Sequence, residues 1–385
     1  MKEITKDILY VGVDDKDIDL FEGQFYVPNG MSYNSYVILD EKIAVMDTVD
    51  FTKGEEWLEN LEKALDGKEP DYLIVQHVEP DHSGSIGIFL NKYKNTTVVG
   101  NSKTFTMISQ FLGDDLSFEK LEVKEGDCLN LGTHNLTFVM APMVHWPEVM
   151  VTYDSTDKVL FAADGFGKFG ALDTEEDWAC EARRYYFNIV GKYGAQVDAL
   201  LKKAQSLDIE IICPLHGPIL TENLDYYINL YKIWSSYEPE SDGVTIAYVS
   251  FHKNTKVAAE KMKEILLSKG AKKVSMFDLM RDDFAEAVED AFRYSKLIIA
   301  STTYNMEAAP MASHFAQYLK GKNYQKRTVG FIQNGTWAPV SAKLLSKIFE
   351  EMKDIKLCEN VVTIKSALKE HNLQEMNDLA DEILA

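Results

Sequence analysis

The sequence has few cysteines and no C-x-x-C motif. Cys128, Cys180, Cys213 and Cys358 are widely spaced along a chain of 385 residues. Rubredoxin-type iron centres and iron–sulfur clusters are held by closely spaced thiolates, so the sequence excludes both kinds of site. We predict that the four thiols are small buried hydrophobic side chains in a reducing compartment.

Long apolar runs and an excess of positive charge are also absent. No stretch is long and apolar enough to span a bilayer, and the first residues, MKEITKDILY, lack the apolar core of a signal peptide. A formal net charge of −21 disfavours nucleic acid and anionic membranes, because phosphate groups bind to basic surfaces. These absences predict a cytoplasmic protein with no nucleic-acid or membrane partner.

The length and composition are those of a globular chain with more than one domain. Hydrophobic residues make up 46% and charged residues 26%, and 385 residues are enough for two substantial cores. The segment YEPESDGV, 237–244, combines Pro, Gly and acidic residues between two different patterns. We therefore predict one domain over residues 1–240 and another over 243–385.

The first half is rich in short strands and has few helices. Helical patterns cover 53–65 and 176–205, less often than once per strand. The β-branched runs are SYVILD, KIAVMDT, YLIVQH, TTVVGN, LTFVMAP, VMVTYD, KVLFAAD and IEIICPLHG. This mixture predicts two sheets flanked by helices.

The second half alternates strictly between strands and helices. Its strands are VTIAYVS, KVSMFDL, KLIIAST, RTVGFIQN and NVVTIK. Helices are predicted from Thr255, near 283–294, near 308–320, over 339–353 and at the end of the chain. Five alternating strands and helices are typical of an α/β, doubly wound parallel sheet of flavodoxin-like size.

A group of metal-binding side chains follows the strand YLIV. The segment QHVEPDHSG contains His77, Glu79, Asp81 and His82, with Pro80 turning the chain between them. Taken alone, this segment could equally be a capped loop with surface histidines. Three other strand ends carry similar residues beside Gly or Pro.

The additional residues are His145 in APMVHWPEV, Asp164 in LFAADGFG and His216 in IICPLHGP. Four imidazoles and three carboxylates exceed the four ligands of a tetrahedral zinc site, and they suit two metals that share a carboxylate. The remaining histidines, His134, His252, His314 and His371, lack this context and are predicted to be structural, apart from the place of His252 in a loop considered below.

The series His77-x-Glu79-x-Asp81-His82, His145, Asp164 and His216 resembles the metallo-β-lactamase superfamily, in the form found in flavodiiron proteins (A-type flavoproteins). Hydrolase relatives carry H-x-H-x-D-H, so Glu79 is the discriminating position. A carboxylate in place of an imidazole favours iron over zinc. The resemblance implies a metallo-β-lactamase-like αββα sandwich with a di-iron centre. One iron would be held by His77, Glu79 and His145, the other by Asp81, His82 and His216, with Asp164 bridging.

Two further positions follow from the same resemblance. Many family members carry a histidine near the start of the chain, where this sequence reads FEGQF with Gln24. Tyr193 in VGKYG resembles a pocket tyrosine that donates a hydrogen bond to bound oxygen or nitric oxide. A helix-end aromatic residue packed on the core is the alternative interpretation of Tyr193.

Three loops at strand ends in the second half carry polar and aromatic residues. By itself the first loop, SFHKNT, is most simply a helix N-cap, but a helix N-terminus also binds phosphate. Flavodoxin-like sheets, with strand order 2-1-3-4-5, bind FMN at such loops, and the resemblance to flavodiiron proteins extends to this half. The predicted FMN-binding residues are Ser250, His252, Asn254, Thr255, Ser301, Thr302, Thr303, Tyr304, Asn305, Asn334, Gly335, Thr336 and Trp337.

The resemblance implies an oxidoreductase that reduces O2 to water, NO to N2O, or both. Electrons would pass through FMN to the di-iron centre from an external donor such as rubredoxin, since no fused rubredoxin is expected. A head-to-tail homodimer, alone or within a homotetramer, would bring each flavin to the partner's irons.

Two alternatives remain open from the residues alone. One is a dizinc hydrolase with a fused flavodoxin-like regulatory module, against which Glu79 argues. The other is a flavodoxin-like electron carrier whose first half only dimerises, which a complete ligand set makes hard to sustain. Metal analysis separates the first alternative from a di-iron enzyme.

Overall fold

The structure is a computed structural model that describes residues 2–113 and 117–385. The chain forms two compact units, Met1–Tyr186 with Ala195–Lys232, and Phe187–Gly194 with Ile233–Ala385. The division into domains 1–240 and 243–385 stays a prediction. No described helix combines the length and apolar character needed to cross a membrane.

The first unit is built on two larger sheets and two short strand pairs. Its strands are β1 Lys2–Glu3, β2 Ile8–Tyr10, β3 Val13–Asp15, β4 Leu20–Phe21, β5 Phe25–Tyr26, β6 Met31–Tyr33, β7 Tyr36–Ile38, β8 Ala44–Met46, β9 Tyr72–Ile74, β10 Thr97–Gly100, β11 Glu119–Glu122, β12 Cys128–Asn130, β13 Asn135–Met140, β14 Met150–Asp154, β15 Val159–Phe161 and β16 Ile211–Cys213. The sheet orders are β1-β2-β7-β8-β9-β10-β11 and β12-β13-β14-β15-β16, and β3 pairs with β6 and β4 with β5.

The helices of this unit connect and cover the strands. They are α1 Gly54–Leu65, α2 Pro80–Ser83, α3 Ile86–Lys92, α4 Ser102–Leu112, α5 Trp178–Tyr185, α6 Gly194–Ala204 and α7 Leu224–Ser235, with a 3-10 turn at Phe51–Lys53. Asn101 begins α4 through a capping box with Thr104, which is why the chain turns directly after β10.

The two larger sheets pack face to face around one core. Ile38, Met46 and Ile74 of the seven-stranded sheet share a buried cluster with Phe138 and Phe161 of the five-stranded sheet. The central strands β8, β9 and β10 are parallel and their side chains are buried, as expected for apolar runs without alternation. The predicted αββα sandwich is confirmed.

The second unit is a single parallel sheet with connecting helices. Its strands are β17 Ser241–Tyr248, β18 Val274–Asp278, β19 Tyr294–Tyr304, β20 Glu307–Ala308, β21 Arg327–Asn334 and β22 Ile355–Ile364, and its helices are α8 Asn254–Ser268, α9 Phe284–Arg293, α10 Pro310–Gly321, α11 Ser341–Glu350 and α12 Glu370–Leu384. The order β18-β17-β19-β21-β22 is parallel throughout, and β20 pairs antiparallel with the end of β19. The predicted order 2-1-3-4-5 is confirmed.

The structure refines two predictions about local structure. The segment predicted to be helical over 176–205 is helical from Trp178 to Ala204, but α5 and α6 are separated by a π-helical turn, Tyr186–Val190, and a 3-10 turn, Gly191–Tyr193. Gly194 follows them at a close approach, where an added Cβ would lie 2.4 Å from the carbonyl oxygen of Ser235. Of the four cysteines predicted to be buried, Cys213 and Cys358 are buried, Cys180 is only partly buried, and Cys128 is exposed because it lies on the edge strand β12.

Candidate metal centre and flavin cavity

The predicted ligands converge where the strands of the first unit end. Glu79 precedes the single helical turn α2, which carries Asp81 and His82 on its first residues. His145 lies between β13 and β14, Asp164 follows β15 and His216 follows β16. The seven side chains form two groups, His77, Glu79, His145 and Asp164, and Asp81, His82 and His216.

The first group places two imidazoles against two carboxylates. The Oε2 atom of Glu79 lies 3.2 Å from Nε2 of His77 and 2.9 Å from Nε2 of His145. The Oδ2 atom of Asp164 lies 3.3 Å and 3.2 Å from the same two nitrogens. Four donor atoms thus surround one point that lies at the edge of the buried interior.

The second group has the same character and uses the other oxygen of Asp164. The Nε2 atom of His82 lies 3.1 Å from Oδ1 of Asp164 and 3.2 Å from Oδ2 of Asp81. The Nε2 atom of His216 lies 3.2 Å from Oδ2 of Asp81 and 3.7 Å from Oδ1 of Asp164. Asp164 therefore presents one oxygen to each group, as a bridging carboxylate would.

The hydrogen bonding within the groups is incomplete in a way that suits cations. Both carboxylate oxygens of Asp81 and Nε2 of His216 are buried without a hydrogen-bond partner. Buried polar atoms without partners are rare and costly in folded proteins. Because these atoms point at one another as electron-pair donors, two divalent cations would satisfy them together. The residues fit a two-metal site.

Residues outside the two groups hold the imidazoles in place. Nδ1 of His77 donates to Oε1 of Glu148 at 2.8 Å, and the Val78 N–H donates to the same oxygen at 2.9 Å. Nδ1 of His216 donates to the carbonyl oxygen of Ser32 at 2.7 Å. These bonds leave Nε2 of each ring free to bind a metal. Sequence reasoning missed Glu148, although it lies three residues after His145.

The charges in the site shift the pKa values of its groups strongly. Burial would lower the pKa of His145, but hydrogen bonds with Asp164 and Glu79 outweigh burial and raise it to about 9. Burial raises the pKa of Asp81 to about 7, against the opposing charge of His82. Burial would also raise the pKa of Asp164, but the charge of His77 and hydrogen bonds from His145 and His77 hold it well below its usual range. The carboxylates thus favour positive charge at the nitrogens, which a metal ion also supplies.

A tyrosine that sequence reasoning missed lies against one of the metal ligands. The buried ring of Tyr185 lies 5.5 Å from that of His216, between ring centroids. Burial and then the charges of Asp164 and Asp81 raise the pKa of its hydroxyl well above the usual value, so the hydroxyl keeps its proton. Tyr193 belongs to the second compact unit, where the Lys192 ammonium lies 5.8 Å from its ring centroid. The role predicted for Tyr193 stays a prediction.

The loop that contains Gln24 also contains an acidic residue, Glu22. It joins β4 to β5, and Glu22 and Gly23 have φ angles of 50° and 67°. Burial and the charge of Glu79 raise the pKa of Glu22 to about 7. Gln24 donates to Oε2 of Glu22 at 2.9 Å. Glu22 is thus the residue of this loop whose pKa responds to the charge of a predicted ligand. Sequence reasoning missed it.

The second unit contains a cavity of about 480 Å³ at the ends of β17, β19 and β21. Every predicted FMN-binding residue except Ser301 lines it, together with Phe251, Met306, Ala338 and Ser366, which were not predicted. Ser301 is buried instead, where its hydroxyl accepts a hydrogen bond from the Ala309 N–H at 3.3 Å.

The cavity has the features of an anion site at one end and of a ring site at the other. The hydroxyl of Ser250 is buried without a partner, and α8 begins at Asn254 with no side-chain cap on its free N–H groups. At the other end Tyr304 and the 86% exposed Trp337 offer aromatic faces. A phosphate group and a planar ring system both fit here.

Comparison with known proteins gives the family of the chain. A family model described as "ODP family beta lactamase" matches residues 31–217. An uncharacterised protein of Methanocaldococcus jannaschii is 30% identical over 380 residues, 97% of this chain and 95% of that protein. An anaerobic nitric oxide reductase flavorubredoxin of Aliivibrio fischeri is 29% identical over 347 residues, 87% of this chain and 69% of that protein.

Solved structures agree with this result. The rubredoxin oxygen:oxidoreductase of Desulfovibrio gigas superimposes with a TM-score of 0.91 at 25% identity, over 99% of this chain and 97% of that chain. A mutant of the flavo di-iron protein of Thermotoga maritima gives a TM-score of 0.88 at 25% identity, over 98% and 95%. Both units of the structure, the ligand series with Glu79 and these relatives lead to one conclusion: the chain belongs to the flavodiiron protein family.

Proposed function

We propose that the protein is a flavodiiron oxidoreductase that reduces O2 to water, NO to N2O, or both. The observation that supports this most directly is the convergence of seven ligands into two groups that share Asp164. Among the relatives, one is named for oxygen as acceptor and one for nitric oxide. Both gases are therefore the substrates to test.

Two iron ions are the metals that the ligands suit best. His77, Glu79 and His145 would hold one ion, Asp81, His82 and His216 the other, and Asp164 both. Three carboxylates and four imidazoles provide harder ligands than the all-histidine set of a zinc site, and harder ligands favour iron. When bound, the iron pair supplies one-electron redox chemistry at two adjacent positions where a small gas binds.

The chain itself supplies protons and orientation. Reduction of O2 to two waters takes four electrons and four protons, and conversion of two NO to N2O and water takes two of each. Glu22, with a pKa of about 7, lies near the ligands on an exposed loop and can take a proton from solvent and pass it inward. The neutral hydroxyl of Tyr185 can donate a hydrogen bond beside His216.

FMN is the flavin that the second unit suits. Ser250, Asn254 and Thr255 would hold its phosphate at the start of α8, and Tyr304 and Trp337 would contact its ring system. A nucleotide-sized cavity with one anion end matches a mononucleotide. We propose rubredoxin or a similar protein as the electron donor, because the Desulfovibrio gigas relative is named for it.

The assembly that we propose is a head-to-tail homodimer, alone or within a homotetramer. The metal ligands and the flavin cavity belong to different compact units of one chain. In a head-to-tail dimer, electrons would pass from the flavin of one copy to the metal centre of the other. Co-expression of a metal-site variant, Asp164→Asn, with a flavin-site variant, Ser250→Glu, tests it. Activity restored in the mixed dimer supports transfer between copies, whereas two inactive variants that stay inactive together contradict it.

The decisive experiment loads the protein with iron and FMN and measures the consumption of O2 and of NO under reduced rubredoxin. We expect turnover of at least one gas and about two irons per chain, a stoichiometry that follows from the two ligand groups. Glu79→His is the companion variant, expected to shift the metal content toward zinc and to lower gas reduction. Bound zinc with esterase or lactamase activity in the unmodified protein would instead support the hydrolase alternative.

A further inference from the structure

The first compact unit contains an apolar cavity that no ligand or flavin residue lines. Its volume is about 320 Å³, and it lies between the five-stranded sheet and helices α6 and α7. Its walls are mostly aliphatic, and they include Val139, Val151, Leu160, Val197, Leu201 and Ile212. A cavity of this size is large for a packing defect, because folded interiors contain few voids larger than a water molecule.

One end of the cavity is formed by the backbone that presents the metal ligands. Val144 precedes His145, and Gly165 and Phe166 directly follow Asp164; all three line the cavity. Phe166 has a φ of 65°, and its N–H donates to the hydroxyl of Tyr231 at 2.6 Å. The Phe166 and Tyr231 rings stack at 4.3 Å between centroids. The cavity thus ends at residues that are the direct sequence neighbours of two predicted ligands, His145 and Asp164.

The other end opens to solvent. Ile209, Leu224 and Asp225 line both this cavity and an open surface depression around Asn223–Tyr227. The remaining charged and amide lining residues, Gln205, Asp208 and Lys232, are exposed, so they form a rim rather than an inner wall. A small molecule can enter from the surface without crossing the sheet.

The side chains of the inner wall, over the part of the chain that the structure describes, leave no buried polar atom in need of a water partner. Across residues 2–113 and 117–385, none of the buried side-chain polar atoms left without a hydrogen-bond partner belongs to a lining residue. A buried water needs about two to four polar partners, and apolar cavities without them stay dry and accept apolar guests such as xenon. The chemistry of the cavity therefore matches a small, uncharged, weakly hydrogen-bonding molecule.

We propose that this cavity binds O2 or NO and delivers the gas from the surface to the metal centre. The inference rests on the proposed function, because these gases are its substrates. Both are apolar diatomic molecules, which partition from water into apolar surroundings, so the cavity raises their concentration beside Val144 and Gly165. Small thermal movements of the Phe166 loop would complete the passage.

Xenon is the probe, since it is apolar, similar in size to O2 and NO, and visible in diffraction. Crystals of the iron- and FMN-loaded protein under xenon pressure are expected to show xenon between α6 and the five-stranded sheet. Ala204→Phe and Val197→Phe fill the cavity from the same face of α6, and Ala199→Phe, on the exposed side of that helix, is the matched control. Two filling variants are used because one of them could fold poorly.

A filling variant that displaces xenon is expected to lower kcat/KM for the gas that the protein reduces by about threefold or more, with kcat at a saturating concentration of that gas unchanged, since only entry is impaired. Ala199→Phe should match the unmodified protein in both measurements. The inference is overturned if the active enzyme holds no xenon here, if both filling variants retain xenon, or if displaced xenon leaves kcat/KM unchanged. Xenon bound in a protein that reduces neither gas would support the cavity as a gas site and contradict the proposed function.

Discussion

Replacing Glu148 with glutamine is expected to weaken the binding of iron while leaving the fold intact. The Glu148 side chain is fully buried, and its Oε1 accepts from Nδ1 of His77 and from the Val78 N–H at 2.8 Å and 2.9 Å. Glutamine keeps an acceptor oxygen in the same place but removes the charge that makes the His77 ring a better electron donor. Loss of such a partner lowers metal affinity by about 10- to 100-fold. Since the oxygen is retained, we expect about tenfold, or about 1.4 kcal/mol.

Glu148→Leu is expected to have a larger effect, because His77 Nδ1–H and the Val78 N–H then lose their acceptor. Each unsatisfied donor costs about 1–3 kcal/mol, so this variant should also melt at a lower temperature. Anaerobic titration with Fe²⁺ against a competing chelator measures the affinity. Glu125→Gln is the control, since Glu125 also accepts a backbone N–H, from Met140, but touches no ligand. If Glu148→Gln bound iron as tightly as this control, the orienting role of Glu148 would be refuted.

Three further outcomes follow from the site geometry. Asp164→Asn should reduce the iron content from two ions per chain to one or none, measured by elemental analysis, because Asp164 contacts both ligand groups. Ser250→Ala should weaken FMN binding by about tenfold, as expected for a lost hydrogen bond to a charged group, whereas Ser236→Ala, outside the cavity, should not; fluorescence titration distinguishes them. Asp81 and His145 hold protons up to pH values of about 7 and 9 in the metal-free protein. Fe²⁺ uptake must release these protons, so its affinity should fall by on the order of tenfold per unit as the pH drops below about 9, and more steeply below about 7, where Asp81 also holds a proton. A pH-stat measures the release.

The sequence predicted the parts of the structure that depend on local pattern. Apolar runs located the strands, and the residues directly after them, such as His77 and His216, were predicted as ligands because strand ends in α/β folds carry sites. The strict alternation after Tyr237 predicted the sheet order of the second unit. The pairing of ligands into two groups came from the resemblance and agrees with the distances.

The residues that were missed act through tertiary contacts. Tyr185 lies at the end of α5, and its ring meets that of His216, 31 residues further along the chain, at 5.5 Å between centroids. Glu22, in the three-residue turn between β4 and β5, is close enough to the ligands for the charge of Glu79 to raise its pKa, and only the folded chain brings them together. In the sequence nothing distinguishes Glu148 from other acidic residues, and only the folded chain shows its contact with His77. Periodicity carries no information about such contacts.

The sharing of Asp164 between the two ligand groups has a thermodynamic consequence. An ion in one position fixes the carboxylate and so removes conformational freedom that the other position would otherwise have to remove. The two binding free energies are then coupled, and by linkage the coupling is equal in both directions. Metal loading should therefore be cooperative, so that chains with a single ion are rarer than two independent sites would give. Loss of either ion should weaken the binding of the other.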